Sequence, residues 1–562
     1  MVVSLIQQPN NTYQTWIRFR FPDLDNGPVA AFSVPTDTYR YIQNGYALIS
    51  TMMVINLWAI VVACGLYLHL KNPKTANRVN DISMMLWSKR EAARESAVEA
   101  LLYVGKGWEK WWYYPLVLVL IGVWVASLAA GILLPSRLFL GNGAPVNPSS
   151  IFAPSLNLSK TDSQTTYTVF ELDVQRYLRA AGAAFVANDA LRGKVQMGMP
   201  VFEGTWDNKA ENLTGDTIQR IDYSYKVTGG DLGLQNIPQL VLNVAGSCRT
   251  DYTWQVGFKP IRSGLQDVYQ APWDNTTNYT AQYSESLGSS ATFLLRDPAT
   301  NDPTSRGNFS WGIINSSVGR RSFFASVDPW FRTGEMHVQP SADDFAYTVL
   351  PGRPALSCWE SDVWSFKGQS ADITNLQSIL PPDSLSNATA NILARYLGLP
   401  LAVTLGNYLG SSALQSSQGT IDSLFDAGSS SIHRDLSQII LGAYIVTVNT
   451  LTDTTLYFQY QPPPAENITN MARDGDDSNG TLPGVADFVV FSDQVASLSL
   501  TLIILIPFLT LASWILMHTL LVYSPLKLTR AMEPTRLLQA VRGQFGEPTL
   551  YIDDDGKQSW KL

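Results

Sequence analysis

The chain has 562 residues, which would correspond to three or four domains of about 150 residues each. Its formal net charge is −8, and it contains no sequence motif for binding nucleotides, nucleic acids or zinc. We therefore predict neither a nucleic-acid partner nor a metal or other cofactor. Three long apolar stretches lower the expected number of domains, because they predict membrane spans.

Residues 46–70, 114–134 and 495–522 contain no Asp, Glu, Lys or Arg, and roughly 20 such residues cross a bilayer's hydrocarbon core. They are apolar on all sides, whereas a long helix of a soluble protein normally has a polar face. We therefore predict three transmembrane helices rather than buried core helices. The spans separate an N-terminal segment (1–45), a loop (71–113), a large domain (135–490) and a tail (523–562).

The distribution of Lys and Arg predicts the orientation, because short basic loops stay cytosolic while long domains are translocated largely regardless of charge. Residues 71–112 hold eight basic and five acidic side chains, for a net charge of +3. Residues 135–490 hold 22 basic and 33 acidic side chains, for a net charge of −11. The loop, which includes an amphipathic helix candidate at 83–108, is therefore predicted to be cytosolic. The N-terminus and the large domain are then outside, and the C-terminus is cytosolic, in the plasma membrane or a secretory-pathway membrane.

Glycosylation sequons follow the same partition, since Asn-x-Ser/Thr is modified only where it faces the secretory lumen. The predicted cytosolic segments contain none, which supports the orientation and makes N-glycans an expected modification. The predicted acceptors are Asn10, Asn157, Asn212, Asn275, Asn278, Asn308, Asn315, Asn387, Asn467 and Asn479.

The chain has three cysteines, and Cys64 lies within the first predicted span. Cys248 and Cys358 are the two thiols of the large domain, so an oxidising compartment leaves them one intramolecular pairing. A bridge that closes such a long loop would stabilise the fold by roughly 4 to 5 kcal/mol in the chain-entropy model. We predict this disulfide, and two buried free thiols are the alternative.

The large domain combines strand-like and helix-like patterns, which predicts an α+β fold with a β-sandwich as the candidate core. Short segments rich in β-branched and aromatic residues predict strands, and longer periodic segments predict helices. The predicted strands are 221–227, 239–244, 291–295, 323–327 and 345–350, and the predicted helices are 169–191, 385–397 and 433–448. Residues 461–483, rich in Pro, Gly and Asp, are interpreted as an exposed linker.

Aromatic residues follow both cysteines of the large domain: Tyr252 and Trp254 after Cys248, and Trp359 and Trp364 after Cys358. We interpret them as core residues that pack over the disulfide. Stacking on a carbohydrate or lipid is the alternative. Similarly, the acidic run at 474–477 is interpreted as a solvated turn, because it lacks the ordered ligand series of a calcium loop.

No arrangement of residues predicts a catalytic centre. Ser429 to Ser431 precede His433 and Asp435, but such neighbours usually mark the start of a helix rather than a catalytic triad. His518, near the cytosolic end of the third span, is interpreted as an interfacial residue rather than part of an ion pathway. We therefore predict no catalytic residues.

The order of elements, together with the strings 46–51 (YALIST) and 358–364 (CWESDVW), resembles uncharacterised multi-span membrane glycoproteins of filamentous fungi. This resemblance implies no activity. We expect a glycoprotein in the lipid bilayer whose outer domain binds a ligand, a wall polymer or a protein partner without catalysis. A membrane-tethered enzyme or an accessory protein of a secondary-metabolite pathway is the alternative.

Overall fold

The structure is a computed structural model that describes residues 8–71, 95, 98, 114–156, 163–187, 189–208, 213–261, 264–281, 290–296, 308–335, 347–418, 425–460, 468–473, 480–523, 549–552 and 558–561. The predicted amphipathic helix at 83–108 thus lies almost wholly outside the described residues. The acidic run at 474–477 lies wholly outside them. The chain divides into two compact units. The sheet unit is Met1–Gln14, Arg20–Val29 and Gly143–Ser492, and the helical unit is Thr15–Phe19, Ala30–Asn142 and Asp493–Leu562.

The described α-helices are numbered in chain order. They are α1 Thr36–Lys71, α2 Tyr114–Leu138, α3 Ser163–Val186, α4 Asp189–Arg192, α5 Asn387–Leu397, α6 Leu401–Leu409, α7 Gln415–Gln418, α8 Ile432–Val448 and α9 Leu500–Tyr523.

The described strands follow the same numbering. They are β1 Arg18–Asp23, β2 Gly27–Pro35, β3 Phe139–Gly141, β4 Gly143–Pro145, β5 Pro154–Leu156, β6 Val195–Met197, β7 Val201–Asn208, β8 Leu213–Thr228, β9 Val241–Asp251, β10 Gln255–Ile261, β11 Gly264–Tyr269, β12 Ser290–Leu295, β13 Asn308–Ser316, β14 Arg321–Ser322, β15 Thr333–Glu335, β16 Tyr347–Val349, β17 Ala355–Phe366, β18 Gln369–Ala371, β19 Ile468–Asn470, β20 Val489–Phe491, β21 Val495–Ser499, β22 Thr549–Ile552 and β23 Gln558–Lys561.

Among the described residues of the helical unit, three helices are long and apolar enough to cross a membrane, as the sequence predicts: α1, α2 and α9. Both α2 and α9 pack against α1. Polar groups join the helices: the buried Asn56 amide donates to Ser513 Oγ at 3.5 Å, and the partly buried Tyr46 hydroxyl donates to the Ile503 carbonyl at 2.8 Å. All three helices also expose many large apolar side chains, as expected for contact with lipid.

Two predicted span boundaries require correction. The first helix begins at Thr36, ten residues before the predicted start at Tyr46. The third begins at Leu500, because Val495–Ser499 forms strand β21 and pairs with β2 and β3 instead of continuing the helix. This strand is buried along its whole length, which explains why its composition resembles that of the span that follows.

The sheet unit is built on one large antiparallel sheet with the strand order β12-β13-β17-β9-β8-β6. The long strand β8 also pairs with β7, and β17 also pairs with β18. Alternate residues of β8, β9 and β17 are buried, as a sheet covered on one side requires. We call the buried side, which bears Ile221, Tyr225, Cys248 and Cys358, the covered face.

Helices cover this face, and α8 is the central one. Thirteen of its residues are buried, and its Tyr444 ring meets Tyr225 of β8 edge-on at 5.8 Å. Helix α8 also packs on α3 and α6. Helices α5 and α6 form a pair bent by 64° that is long and apolar enough for a broken membrane span. Residues such as Leu393 and Leu401 are buried, however, so the pair belongs to the core of the sheet unit. The helices predicted at 169–191, 385–397 and 433–448 are thus present, with shifted ends.

On the opposite side of the sheet, the β10–β11 hairpin covers one end. There Trp254, Tyr269, Leu294, Ile314 and Ala355 form a buried cluster. The other residues that the structure describes leave the rest of this side open. In the described residues the core is therefore a sheet covered by helices and not a sandwich of two large sheets, although the predicted mixture of helix and strand is correct.

Two further sequence interpretations are wrong in part. Residues 323–327 form an exposed loop after β14 rather than a strand, because the Ser322 hydroxyl accepts from the Phe324 amide and turns the chain. Residues 468–473 lie in the predicted linker, yet β19 pairs with β5 and Ala472 is completely buried. Local composition does not show such pairings, since their partners are distant in sequence.

The N-terminal residues belong to the sheet unit. Tyr13 forms a β-bridge with Val146, and the Gln14 amide donates to the Pro145 carbonyl at 2.9 Å. The Asn147 side chain donates to the Asn11 carbonyl at 3.0 Å. Residues 8–14 and the beginning of the large domain therefore lie together, as a topology that puts both outside requires.

Candidate functional site

The strand register places one row of polar and aromatic side chains across the uncovered side of the sheet. Ser310 pairs with Trp359, Trp359 with Ser247, and Ser247 with Asp222, so four neighbouring strands each contribute one residue. The adjacent row contains Arg249 and Arg220, which pair directly. We call the surface that bears Trp359, Ser247, Asp222, Arg249 and Arg220 the open face.

Trp359 is the large aromatic residue of the open face. Its side chain is 53% exposed, whereas its neighbours Cys358 and Glu360, on the covered face, are 4% and 2% exposed. Tyr252, Trp254 and Trp364 are buried, so their interpretation as core residues is correct. Trp254 does not pack over the disulfide, however, because its cluster lies on the opposite side of the sheet. The interpretation as a core residue is wrong for Trp359, because strand alternation directs this residue away from the disulfide.

A connected set of charged groups lies beside this row, and we call it the polar ladder. Arg249 Nε is 2.9 Å from Glu203 Oε2, and Arg220 Nη1 is 3.1 Å from Glu203 Oε1. Arg220 Nε is in turn 3.4 Å from Asp222 Oδ1, to which Ser247 Oγ donates at 2.5 Å. The ladder has two positive and two negative charges, so it presents fixed donors and acceptors without a net charge.

Exposed ion pairs contribute roughly 0 to 1 kcal/mol each to folding, so stability alone does not account for this arrangement. Trp359 and three ladder residues, Arg220, Asp222 and Ser247, line a groove of about 720 Å³. Gly198, which has no side chain, and the small Ala245 also line it and leave the sheet surface accessible beside the indole ring. A ring-shaped ligand with hydroxyl groups could stack on the indole and bond to the ladder.

The disulfide lies on the covered face behind this row. Cys248 and Cys358 are paired directly across β9 and β17, with their Cα atoms 4.1 Å apart. The predicted bridge is therefore present. Ser247 and Trp359 are the sequence neighbours of these cysteines, so the bridge fixes the two strands from which they project.

A pair of acids is also buried on the covered face, close to the bridge. The Tyr223 hydroxyl donates to Glu360 Oε2 at 2.5 Å, and it reaches that atom by crossing Gly246, which lies between them in the register. A Cβ at Gly246 would lie 2.3 Å from the Tyr223 ring. Glycine at position 246 thus leaves room for the Tyr223–Glu360 hydrogen bond.

Burial raises the pKa of the Glu360 carboxyl to about 7, and the hydrogen bond from Tyr223 opposes that rise. Burial and the neighbouring Glu360 raise the pKa of Asp362 well above its ordinary value. Glu360 and Asp362 resemble a titratable pair, but both belong to the covered face. The groove opens on the other side of the sheet, so these acids are not part of it.

The sequons differ in accessibility. Asn315 is only 1% exposed, so a glycan at this position does not fit the folded sheet, and this acceptor must be removed from the predicted set. The exposed acceptors are Asn10, Asn275, Asn278, Asn308 and Asn387. Asn157, Asn212, Asn467 and Asn479 lie outside the described residues.

The residues considered for a triad do not assemble. Ser431 is the N-cap of α8, where its hydroxyl accepts from the Arg434 amide at 3.2 Å. Asp435 is buried and accepts from the backbone and hydroxyl of Ser416, both at 2.7 Å. The interpretation of these neighbours as a helix start is confirmed. Within the described ranges no group of His, Cys, Asp and Glu could hold a metal ion.

Sequence reasoning did not identify Glu203, Arg220, Asp222, Ser247 and Arg249 as site residues. Glu203 belongs to β7; for the residues of β8 and β9, the signal is the alternation of buried apolar and exposed polar residues along each strand. It does not reveal which strands are neighbours, and that depends on pairings between distant segments.

A family model described as a domain of unknown function (DUF8406) matches residues 174–490, more than half of the chain. The matched residues include the open face and the disulfide. No significant match was found among curated proteins or among solved structures. The comparisons therefore name a family but assign no ligand or reaction to the groove.

Proposed function

This chain belongs to the family defined by the DUF8406 domain of unknown function, and we propose that it is a membrane-anchored protein that binds a carbohydrate chain on the open face. The observation that carries this proposal is the exposed Trp359 indole beside a preorganised polar ladder. The bound polymer would be a surface or wall glycan, and binding would require no chemical step.

The chemistry of the face favours a neutral sugar over a charged ligand. A pyranose ring presents C–H groups on its flat side and hydroxyl groups at its edge, which suits an indole surrounded by donors and acceptors. Both Arg220 and Arg249 are already paired with carboxylates, so no guanidinium is left uncompensated to attract an anion. An extended chain also suits a flat sheet better than it suits an enclosed pocket.

The location of the domain rests on separate observations. Helices α1, α2 and α9 are long and apolar enough to cross a membrane, and the sequons occur only in the segments predicted to be outside. Hydrogen bonds join residues 11–14 to residues 145–147, which supports placing the N-terminus and the large domain on the same side. We propose that this side is extracytosolic and that the tail is cytosolic.

The test is a binding measurement on the full chain in lipid nanodiscs, with soluble oligosaccharides of glucose, mannose and N-acetylglucosamine as probes. Trp359→Ala should weaken the binding of at least one probe roughly tenfold, since stacking on an aromatic ring is worth about 1.4 kcal/mol. Val363→Ala is the matched control, because Val363 is a partly exposed residue of the same strand and side. Equal affinity of the Trp359→Ala and control variants, or binding of no probe, would reject the proposal.

A further inference from the structure

One predicted glycosylation acceptor lies on the open face itself. Asn308, the first residue of β13, pairs with Ser361 of β17 and is exposed. Ser310, which completes the sequon, pairs with Trp359. Because alternate residues of a strand share a side, Asn308, Ser310 and Trp359 all project from the open face.

The register also determines how far Asn308 lies from the indole. Asn308 and Trp359 are diagonal neighbours on adjacent antiparallel strands, and such pairs are about 7 to 8 Å apart. One sugar ring attached to the Asn308 amide covers a separation of this size. The other exposed sequons lie outside the large sheet: Asn10 precedes β1, Asn275 and Asn278 follow β11, and Asn387 begins α5.

We propose that Asn308 carries an N-linked glycan whose first sugars pack on Trp359, so that the chain's own glycan competes with an external carbohydrate for the open face. The competition rests on the function proposed above, whereas the packing does not. In a population with partial occupancy at Asn308, only the unmodified molecules would expose the complete face.

The attachment itself is the ordinary group transfer of N-glycosylation. A polyprenyl pyrophosphate-linked oligosaccharide is the donor, and its bond between sugar C1 and the phosphate oxygen breaks. A new bond forms between C1 and Asn308 Nδ2, the lipid pyrophosphate leaves as an anion, and one Nδ2 proton is released to solvent. Once the glycan is attached, its first ring is an immediate neighbour of the indole, so stacking requires little loss of chain entropy.

The experiment begins with occupancy, measured by mass spectrometry of peptides from the full chain purified from a eukaryotic membrane. Asn308→Gln removes the acceptor, whereas Ser310→Thr preserves the sequon on the same strand and is the matched control. Asn278→Gln removes an exposed acceptor located elsewhere. We expect a glycan at Asn308 in the unmodified chain and in Ser310→Thr.

Two readouts then separate packing from competition. Asn308→Gln should lower the Tm by a few degrees and increase oligosaccharide affinity severalfold, and both effects should disappear in a Trp359→Ala background. Asn278→Gln should cause neither effect. An unmodified Asn308, or the same Tm change with and without Trp359, would overturn the packing. If no variant binds any probe, the proposed function is rejected, and the Tm comparison still decides whether the glycan packs on Trp359. If Asn308→Gln leaves the oligosaccharide affinity unchanged, only the competition is overturned.

Discussion

The two sides of the large sheet use the same strands in opposite ways. On the covered face, Cys358 and Glu360 are enclosed by helices and bonded to neighbours within the sheet. On the open face, Trp359 lies between them in sequence yet remains exposed, next to ion pairs that contribute little to folding. Substitutions one residue apart should therefore affect different properties: stability on the covered face and binding on the open face.

The disulfide should give the largest effect on stability. Replacing both Cys248 and Cys358 by Ala should destabilise the sheet unit by roughly 2 to 5 kcal/mol, because the bridge closes a long loop and lies in a buried position. Thermal unfolding of the full chain in detergent would measure the change. Cys64→Ala, which removes the free thiol of α1, is the control and should leave the Tm unchanged. A double variant as stable as this control would refute the structural role of the bridge.

The buried acids predict a pH dependence with a definite sign. The pKa of Glu360 is about 7 in the folded chain and ordinarily near 4.5, so the unfolded chain loses its proton first as the pH rises. Stability should therefore fall between about pH 4.5 and pH 7, by roughly 3 kcal/mol at most for this group. Buried Asp435, whose pKa is also raised to about 7, acts in the same direction.

Glu360→Gln isolates this contribution, because the amide oxygen can still accept from Tyr223 and has no proton to lose. The difference in Tm between pH 5 and pH 7.5 should be smaller in Glu360→Gln than in the unmodified chain. A control substitution on the open face, Asp222→Asn, should leave that difference intact. An identical pH profile for Glu360→Gln and the unmodified chain would show that Glu360 is not buried as described.

Gly246 of β9 tests the packing between Tyr223 of β8 and Glu360 of β17. Gly246→Ala should destabilise the chain by about 1 to 3 kcal/mol, because the added methyl group would overlap the Tyr223 ring. The neighbouring Ala245→Ser, on the open face, should change the Tm little. Both variants would be compared by thermal unfolding. If Gly246→Ala unfolds at the same temperature as Ala245→Ser, Tyr223 does not cross this position.

The polar ladder should show the smallest effect on stability. Glu203→Gln removes the charge that both Arg220 and Arg249 contact, and surface changes of this kind usually alter stability by about 0.5 kcal/mol or less. Oligosaccharide affinity should nevertheless fall severalfold, because the two guanidinium groups lose their fixed positions. A large loss of stability with unchanged affinity would assign the ladder to the fold instead.

Much of the architecture could be predicted from sequence. The patterns that indicate it are either local in the chain or compatible with a single arrangement. The three apolar spans need only a count of consecutive residues, and Cys248 and Cys358 had a single partner available in the large domain. Helices such as α8 have a regular apolar period. Even so, the sequence predicts that β21 is part of the third span, since a fully buried strand and a membrane helix are equally apolar.

The candidate site could not be predicted in the same way. Glu203, Asp222, Ser247 and Trp359 belong to four strands spread over more than 150 residues, and only their register brings them together. Alternation in 358–364 shows that Trp359 and Cys358 point to opposite sides. Alternation does not show which side of the sheet the helices cover. The sequence alone therefore cannot distinguish an exposed Trp359 from a core residue.

The most direct test of the central claim is photo-cross-linking of the full chain with an oligosaccharide probe that binds it, followed by mass spectrometry to locate the modified residues. The account predicts cross-links on peptides of β8, β9 and β17 that contain Asp222, Ser247 and Trp359, and their loss in Trp359→Ala. Cross-links confined to other surfaces, or cross-links on these peptides that persist without the indole, would contradict it.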